Sequence, residues 1–138
     1  MPSAKIPALL RELVTERAKQ TCEYCLLHQD DSDFIHQIDH IIPLKYDGAT
    51  TSENLALACL KCNKHKGSEV GALDPTDNEV AALFNPRLQN WTEHFELVGA
   101  FLLGKTRVGR TTVSALKLND PVRVNQRQEL MRDARYPR

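Results

Sequence analysis

The sequence predicts a small α+β fold stapled by one structural metal ion. Three observations carry that reading. Cys22-Glu23-Tyr24-Cys25 and Cys59-Leu60-Lys61-Cys62 are two Cys-x2-Cys pairs, with 33 residues between them, that use every cysteine of the chain. Two short stretches of strand character lie between the pairs, and outside them apolar residues recur at helical spacing. A chain of 138 residues with 41% hydrophobic but only 6% aromatic content supports one modest core, which a metal staple would reinforce.

The elements follow in order. Residues 7–19 predict a helix, with Pro7 at its first position and Leu9, Leu10, Leu13 and Val14 on one apolar face. Cys22 to Cys25 forms a tight turn, and the acidic run Asp30-Asp31-Ser32-Asp33 an exposed loop. Phe34 to Ile42 is rich in β-branched and aromatic residues and predicts a strand that Pro43 ends. Asp47-Gly48 marks a turn, and residues 54–58 predict a second short strand. The second cysteine pair leads into a short helix over Asn63-Lys64-His65-Lys66, limited by Gly67 and Gly71, and Asp74-Pro75 ends the module. Residues 94–98 and 100–103, hinged at Gly99, predict a hairpin. A helix over 107–118 takes Thr106 as its N-cap. Asn119-Asp120-Pro121 opens a last helix to about residue 134. The expected division is a core at 1–70 and an extension at 71–138 packed on it as one unit, with Leu83, Phe84, Trp91 and Phe95 docking the two.

Two cysteine pairs supply four thiolates, the closed tetrahedral donor set of structural zinc. A redox pair, free core thiols and an iron–sulfur centre are the alternatives. Zinc is favoured because a thioredoxin-like redox site needs only one pair, in a βαβ context. A closed four-ligand site leaves no position for substrate, so chemistry must come from elsewhere.

Lys and Arg balance Asp and Glu at 18 each, but unevenly along the chain. Net charge is −1 over residues 1–66, −5 over 67–104 and +6 over 105–138. The last segment is arginine-rich, and Arg suits phosphate contacts. Its terminal helices, with Arg123 and Arg127, are therefore expected to extend a phosphate-binding footprint. No apolar run reaches the roughly 18–20 residues of a membrane span. The first seven residues do not have the pattern of a secretory signal. A cytoplasmic location, where thiols stay reduced, is expected.

Between and beyond the cysteine pairs stand Asp39-His40-Ile41-Ile42-Pro43, then Gly48, then Asn54-Leu55, then Cys59-x2-Cys62-Asn63-x2-Lys66. This ordered set resembles the zinc-bearing, four-cysteine branch of the HNH (ββα-metal) endonucleases of bacterial stand-alone type, over about residues 20–67. The resemblance implies a zinc-stapled ββα-metal core, flanked by an N-terminal helix and followed by a β-hairpin plus helices. It implies Cys22, Cys25, Cys59 and Cys62 as ligands of structural zinc and His40 as the general base that takes a proton from water. Asp39 and Asn63 would be ligands of a catalytic divalent cation, and Asn54 would tie the loop that aims His40. Leu83-Phe84-Asn85-Pro86-Arg87 and Trp91 to Phe95 resemble, more loosely, the extension of such proteins.

The physical chemistry agrees with those roles. A free imidazole titrates near 6.5 and is largely neutral at pH 7. Oxygen donors from Asp39 and Asn63 suit Mg²⁺ or Mn²⁺ better than zinc. On a helix His65 sits about 200° from Asn63, whereas Lys66 shares the Asn63 face. In a regular strand Asp39 and His40 point to opposite faces, so both serve one site only if the backbone leaves regular geometry there. Lys66 and His36 are candidates for phosphate contact, with packing an equal reading for His36. The expected activity is hydrolysis of nucleic acid, with DNA as the expected class. The alternative is a non-catalytic zinc module that binds nucleic acid or protein.

Overall fold

A computed structural model describes residues 5–138. The reading of the N-terminus as carrying no leader rests partly on residues 1–4, which lie outside that range. Helices and small antiparallel sheets alternate along the chain: five α-helices and three two-stranded sheets among the described residues. None of these helices is long and apolar enough to cross a membrane.

Helix α1 (Ala8–Arg17) begins after Pro7, which is the N-cap residue and not the first helical one. It ends where Lys19 and Gln20 take positive φ. Of its expected apolar face only Val14 is fully buried, packed with Ile6 and Leu10 against Leu55 and Leu57, while Leu9 and Leu13 remain exposed. Arg17 pins the helix end by donating to the carbonyls of Ser52 and Leu55 at 3.0 and 2.8 Å.

Strand β1 (Gln37–His40) pairs antiparallel with β2 (Leu55–Ala58), in a register that sets Asp39 opposite Ala56 and His40 opposite Leu55. The strand is shorter than its β-branched run. Residues 34 and 36 have their backbone groups satisfied by a side chain instead of a neighbouring strand: Gln29 donates to the Phe34 carbonyl and accepts from the His36 N–H. Helix α2 (Leu60–Lys66) follows β2 directly and stops at Gly67, whose φ is 56°. Two strands and the helix packed on them form the ββα unit.

Past it, β3 (Gly71–Leu73) and β4 (Val80–Ala82) form a hairpin the sequence reading passed over. Asp74-Pro75 is not a terminator here. Asp74 accepts from the Thr76 N–H, its own N–H donates to the Glu79 carbonyl, and Asn78 donates back to its carbonyl, closing a loop. The short helix α3 (Trp91–His94) leads into β5 (Phe95–Val98), which pairs with β6 (Phe101–Gly104) around Gly99. Helix α4 (Arg107–Ala115) is capped by Thr106, whose hydroxyl accepts from the Gly109 N–H. Helix α5 (Pro121–Arg132) begins at Pro121, but Asp120 occupies the N-cap position without a side-chain bond. The Asn119 amide instead pairs with both backbone groups of Leu102.

One core runs through both halves. Leu83, Phe84, Phe95, Leu102, Leu116 and Leu118 pack in one buried cluster with Cys22, Tyr24, Ala56 and Cys62. Phe84 stands edge-on to both Tyr24 and Phe95, and Trp91 lies 5.1 Å from Phe95. These aromatics weld the first cysteine turn to the C-terminal half.

Candidate active site and metal centre

The four cysteines arrive from two chain reversals. In each, the backbone N–H of the second cysteine points at the sulfur of the first, at 3.5 Å for Cys25 to Cys22 and 3.4 Å for Cys62 to Cys59. Leu26, at φ 67°, turns the chain away after the first pair. All four Sγ atoms lie within 4.8 Å of one another, with Cys25 and Cys59 at 3.7 Å, and all four residues are buried. Zinc–sulfur bonds of about 2.3 Å in a tetrahedron put sulfurs about 3.8 Å apart. The donor set and its spacing therefore fit zinc.

The candidate catalytic residues lie on β1, on the loop that follows it and on α2. His40 is half-buried, and its Nε2 lies 3.0 Å from the Thr50 hydroxyl. Burial holds its pKa below the ordinary imidazole value, with Asp39 pulling partly the other way. The loop between β1 and β2 is fixed by Asn54. Its amide donates to the carbonyls of Ile42 and Ala49 at 3.0 and 2.8 Å and accepts from the Ile42 N–H at 2.9 Å. A side chain at Gly48 would fall on the Ile42 carbonyl, so only glycine lets the loop close that tightly.

Asp39 turns inward. It is 4% exposed, accepts from the Tyr24 hydroxyl at 2.7 Å and pairs with the Lys66 ammonium at 3.2 Å. Burial pushes its pKa up, and Lys66 opposes that rise. Lys66 also donates to the carbonyls of His40 and Ile41, at 3.1 and 3.2 Å, so helix α2 is bolted to the strand end that carries His40. β1 stays paired through His40, its last residue, and the chain leaves strand geometry at the bend of Ile41 and Ile42. Asn63 lies one turn before Lys66 on the same helix face, and its amide makes no hydrogen bond among the described residues. Burial lowers the pKa of His65, and the cations of Lys117, Arg123 and Lys64 add to that, which places it on the side of α2 that faces the C-terminal helices.

Three expectations are corrected by burial. Lys66 is 3% exposed with its ammonium engaged, so it does not reach a phosphate. His36 is also buried, its Nε2 against the Leu27 carbonyl at 2.9 Å, and burial lowers its pKa; it is a packing residue. Arg123 and Arg127 are each 3% exposed and point into the protein, while Arg135 and Arg138 pair with Asp31. The terminal basic charge is largely spent internally and does not form a phosphate footprint on α5. Thr50 was missed because a lone threonine in a loop has no sequence signature; only its distance to His40 singles it out.

Comparison with known proteins agrees with this geometry. Residues 22–69 match the family model described as HNH endonuclease. Over 106 residues the chain is 27% identical to the Septu protein PtuB of Bacillus thuringiensis, covering 75% of this chain and 38% of that protein. The chain thus spans well under half the length of that relative. Both cysteine pairs, the two strands β1 and β2 and helix α2 lie inside the residues that match the HNH endonuclease model.

Proposed function

We propose that the protein is a metal-dependent endonuclease that hydrolyses DNA phosphodiester bonds with His40 as general base. The observation that carries this reading is the setting of His40. Its imidazole is kept neutral by partial burial, tethered at Nε2 by Thr50 and held on a strand end that Asn54 and Lys66 fix from two sides. In the tautomer whose Nε2–H donates to the Thr50 hydroxyl, Nδ1 keeps its lone pair. Nδ1 then takes a proton from water as the water oxygen attacks phosphorus. The bond to the 3′ oxygen breaks and that oxygen takes a proton from solvent, leaving a 5′-phosphate and a 3′-hydroxyl.

Asp39 and Asn63 are the residues proposed to hold Mg²⁺ or Mn²⁺. An ionised carboxylate has about four acceptor positions. Tyr24 and Lys66 do not exhaust them, and the free Asn63 amide adds a second oxygen. Such a cation, when bound, stabilises charge developing on the phosphoryl and leaving oxygens. Zinc at Cys22, Cys25, Cys59 and Cys62 has a structural role only. Residues 1–70 and 71–138 work as one unit, in the cytoplasm, where the thiolates stay reduced.

The second reading, a non-catalytic zinc module, draws on one observation: Asp39 is buried and already paired. Plasmid nicking separates the two readings. With Mg²⁺ or Mn²⁺, wild type should nick and His40→Ala should lose about 10²–10⁴-fold in rate, with EDTA abolishing both activities. Zinc content should be equal in the two proteins. Wild type and variant behaving alike would leave the interaction module standing.

A further inference from the structure

We propose that Arg123 and Arg127 of α5 are the counter-charge of the four-cysteine metal centre, so that metal retention and docking of the C-terminal helix are one event. This rests on zinc occupying the thiolates, and not on nuclease activity. A zinc ion with four thiolates carries two more negative charges than positive ones. Here that cluster is enclosed, with all four cysteines buried. Excess charge removed from water is unfavourable unless opposite charge is placed beside it.

The two arginines pose the complementary problem. Both are buried as deeply as the cysteines, both are permanently cationic, and neither forms a salt bridge with a carboxylate among the described residues. Their partners are carbonyls and sulfur. Arg123 Nη2 donates to Cys62 Sγ at 3.0 Å and stands 3.8 Å from Cys59 Sγ, while Nη1 donates to the Leu116 carbonyl at 2.8 Å. Arg127, four residues on and therefore on the same helix face, donates to the carbonyls of Ala100 and Leu118, both at 2.7 Å. It does not touch a sulfur, but it lines one cavity together with Cys25, Cys59 and Arg123. Two guanidinium charges match the two excess negative charges. The same segment grips the first cysteine turn as well, through the Tyr136 hydroxyl on the Cys25 carbonyl at 2.6 Å.

An outer-shell partner that fixes a metal ligand changes metal affinity by about 10–100-fold when removed. The test uses the full zinc-loaded chain, with zinc transfer to a colorimetric chelator followed in time. Arg123→Met should release zinc about 10–100-fold more readily, with Arg127→Met showing a smaller change in the same direction. Arg123→Lys, which keeps the charge but loses the planar fork, should recover part of the loss. Glu129→Gln, on an exposed position of the same helix, should match wild type. An Arg123→Met protein that holds zinc as firmly as wild type overturns the proposal. Should that variant fail to fold, hydrogen exchange on wild type decides. Chelation should strip protection from residues 121–132 together with 59–66, and an α5 still protected after zinc has left overturns it equally.

Discussion

His40 is pulled both ways: partial burial and the Lys66 ammonium disfavour its charge, the neighbouring carboxylate favours it, and burial prevails. The imidazole is therefore largely neutral at pH 7. As the proposed general base it gains rate as pH rises through its pKa, and that rise should lie at lower pH than for a free imidazole. A nicking profile between pH 5 and 8 should show one acid limb with its midpoint below the usual value of about 6.5. Thr50→Val removes one hydrogen bond of about 1 kcal/mol. It should lower the rate roughly fivefold, far less than His40→Ala, and leave substrate affinity unchanged. At this scale the sequence was legible where chemistry names the residue and illegible where burial does. Asn-Leu after the Asp-His strand named Asn54, whose amide does tie the loop. Nothing in Lys66 or His36 distinguishes a buried ammonium or imidazole from an exposed one, because the distinction is made by the strand and helix that close over them.

The β1–β2 loop is the element on which the candidate site depends, and Gly48 is its tightest point. Gly48→Ala should destabilise the fold by about 1–3 kcal/mol, read as a lower urea midpoint. It should cost activity as well, because the Ile42 backbone that Asn54 holds would have to shift. Elements with local causes could be read from the chain. The cysteine turns, the Thr106-capped helix α4 and the hairpin about Gly99 are each specified within a few residues. Those with distant causes could not. The side chain of Gln29 cuts β1 short from upstream. The β3–β4 hairpin hangs on Asp74, which is held by Arg110 and Arg107 from a helix more than thirty residues away. A Pro after Asp reads locally as a stop; here the backbone bonds among Asp74, Asn78 and Glu79 close a loop, and Arg107 and Arg110 hold it from α4.

Across the whole molecule, the balance of charge is achieved by folding and not by composition. The −5 and +6 segments neutralise each other in part through Asp74 and Asp77 with Arg107 and Arg110. Arg135 and Arg138 close on Asp31, and Arg123 and Arg127 turn inward. An arginine-rich tail counted along the sequence suggests a nucleic-acid surface; in space most of these arginines pair with Asp31, Asp74 and Asp77 or turn inward, and Arg123 reaches the cysteine sulfurs. The extension was legible as core through Leu83, Phe84, Trp91 and Phe95, which cluster with Tyr24, whereas Leu88 and Phe101, equally apolar, stay exposed.

Trp91 is the one tryptophan of the chain, and its indole N–H donates to the carbonyl of Tyr24, between the first two cysteines. The protein therefore carries an intrinsic optical gauge of its cysteine turn. Withdrawing zinc should free that carbonyl and admit water to the ring, so emission should move to longer wavelength in step with metal release and return on reloading. No dye or label is needed to follow the staple opening.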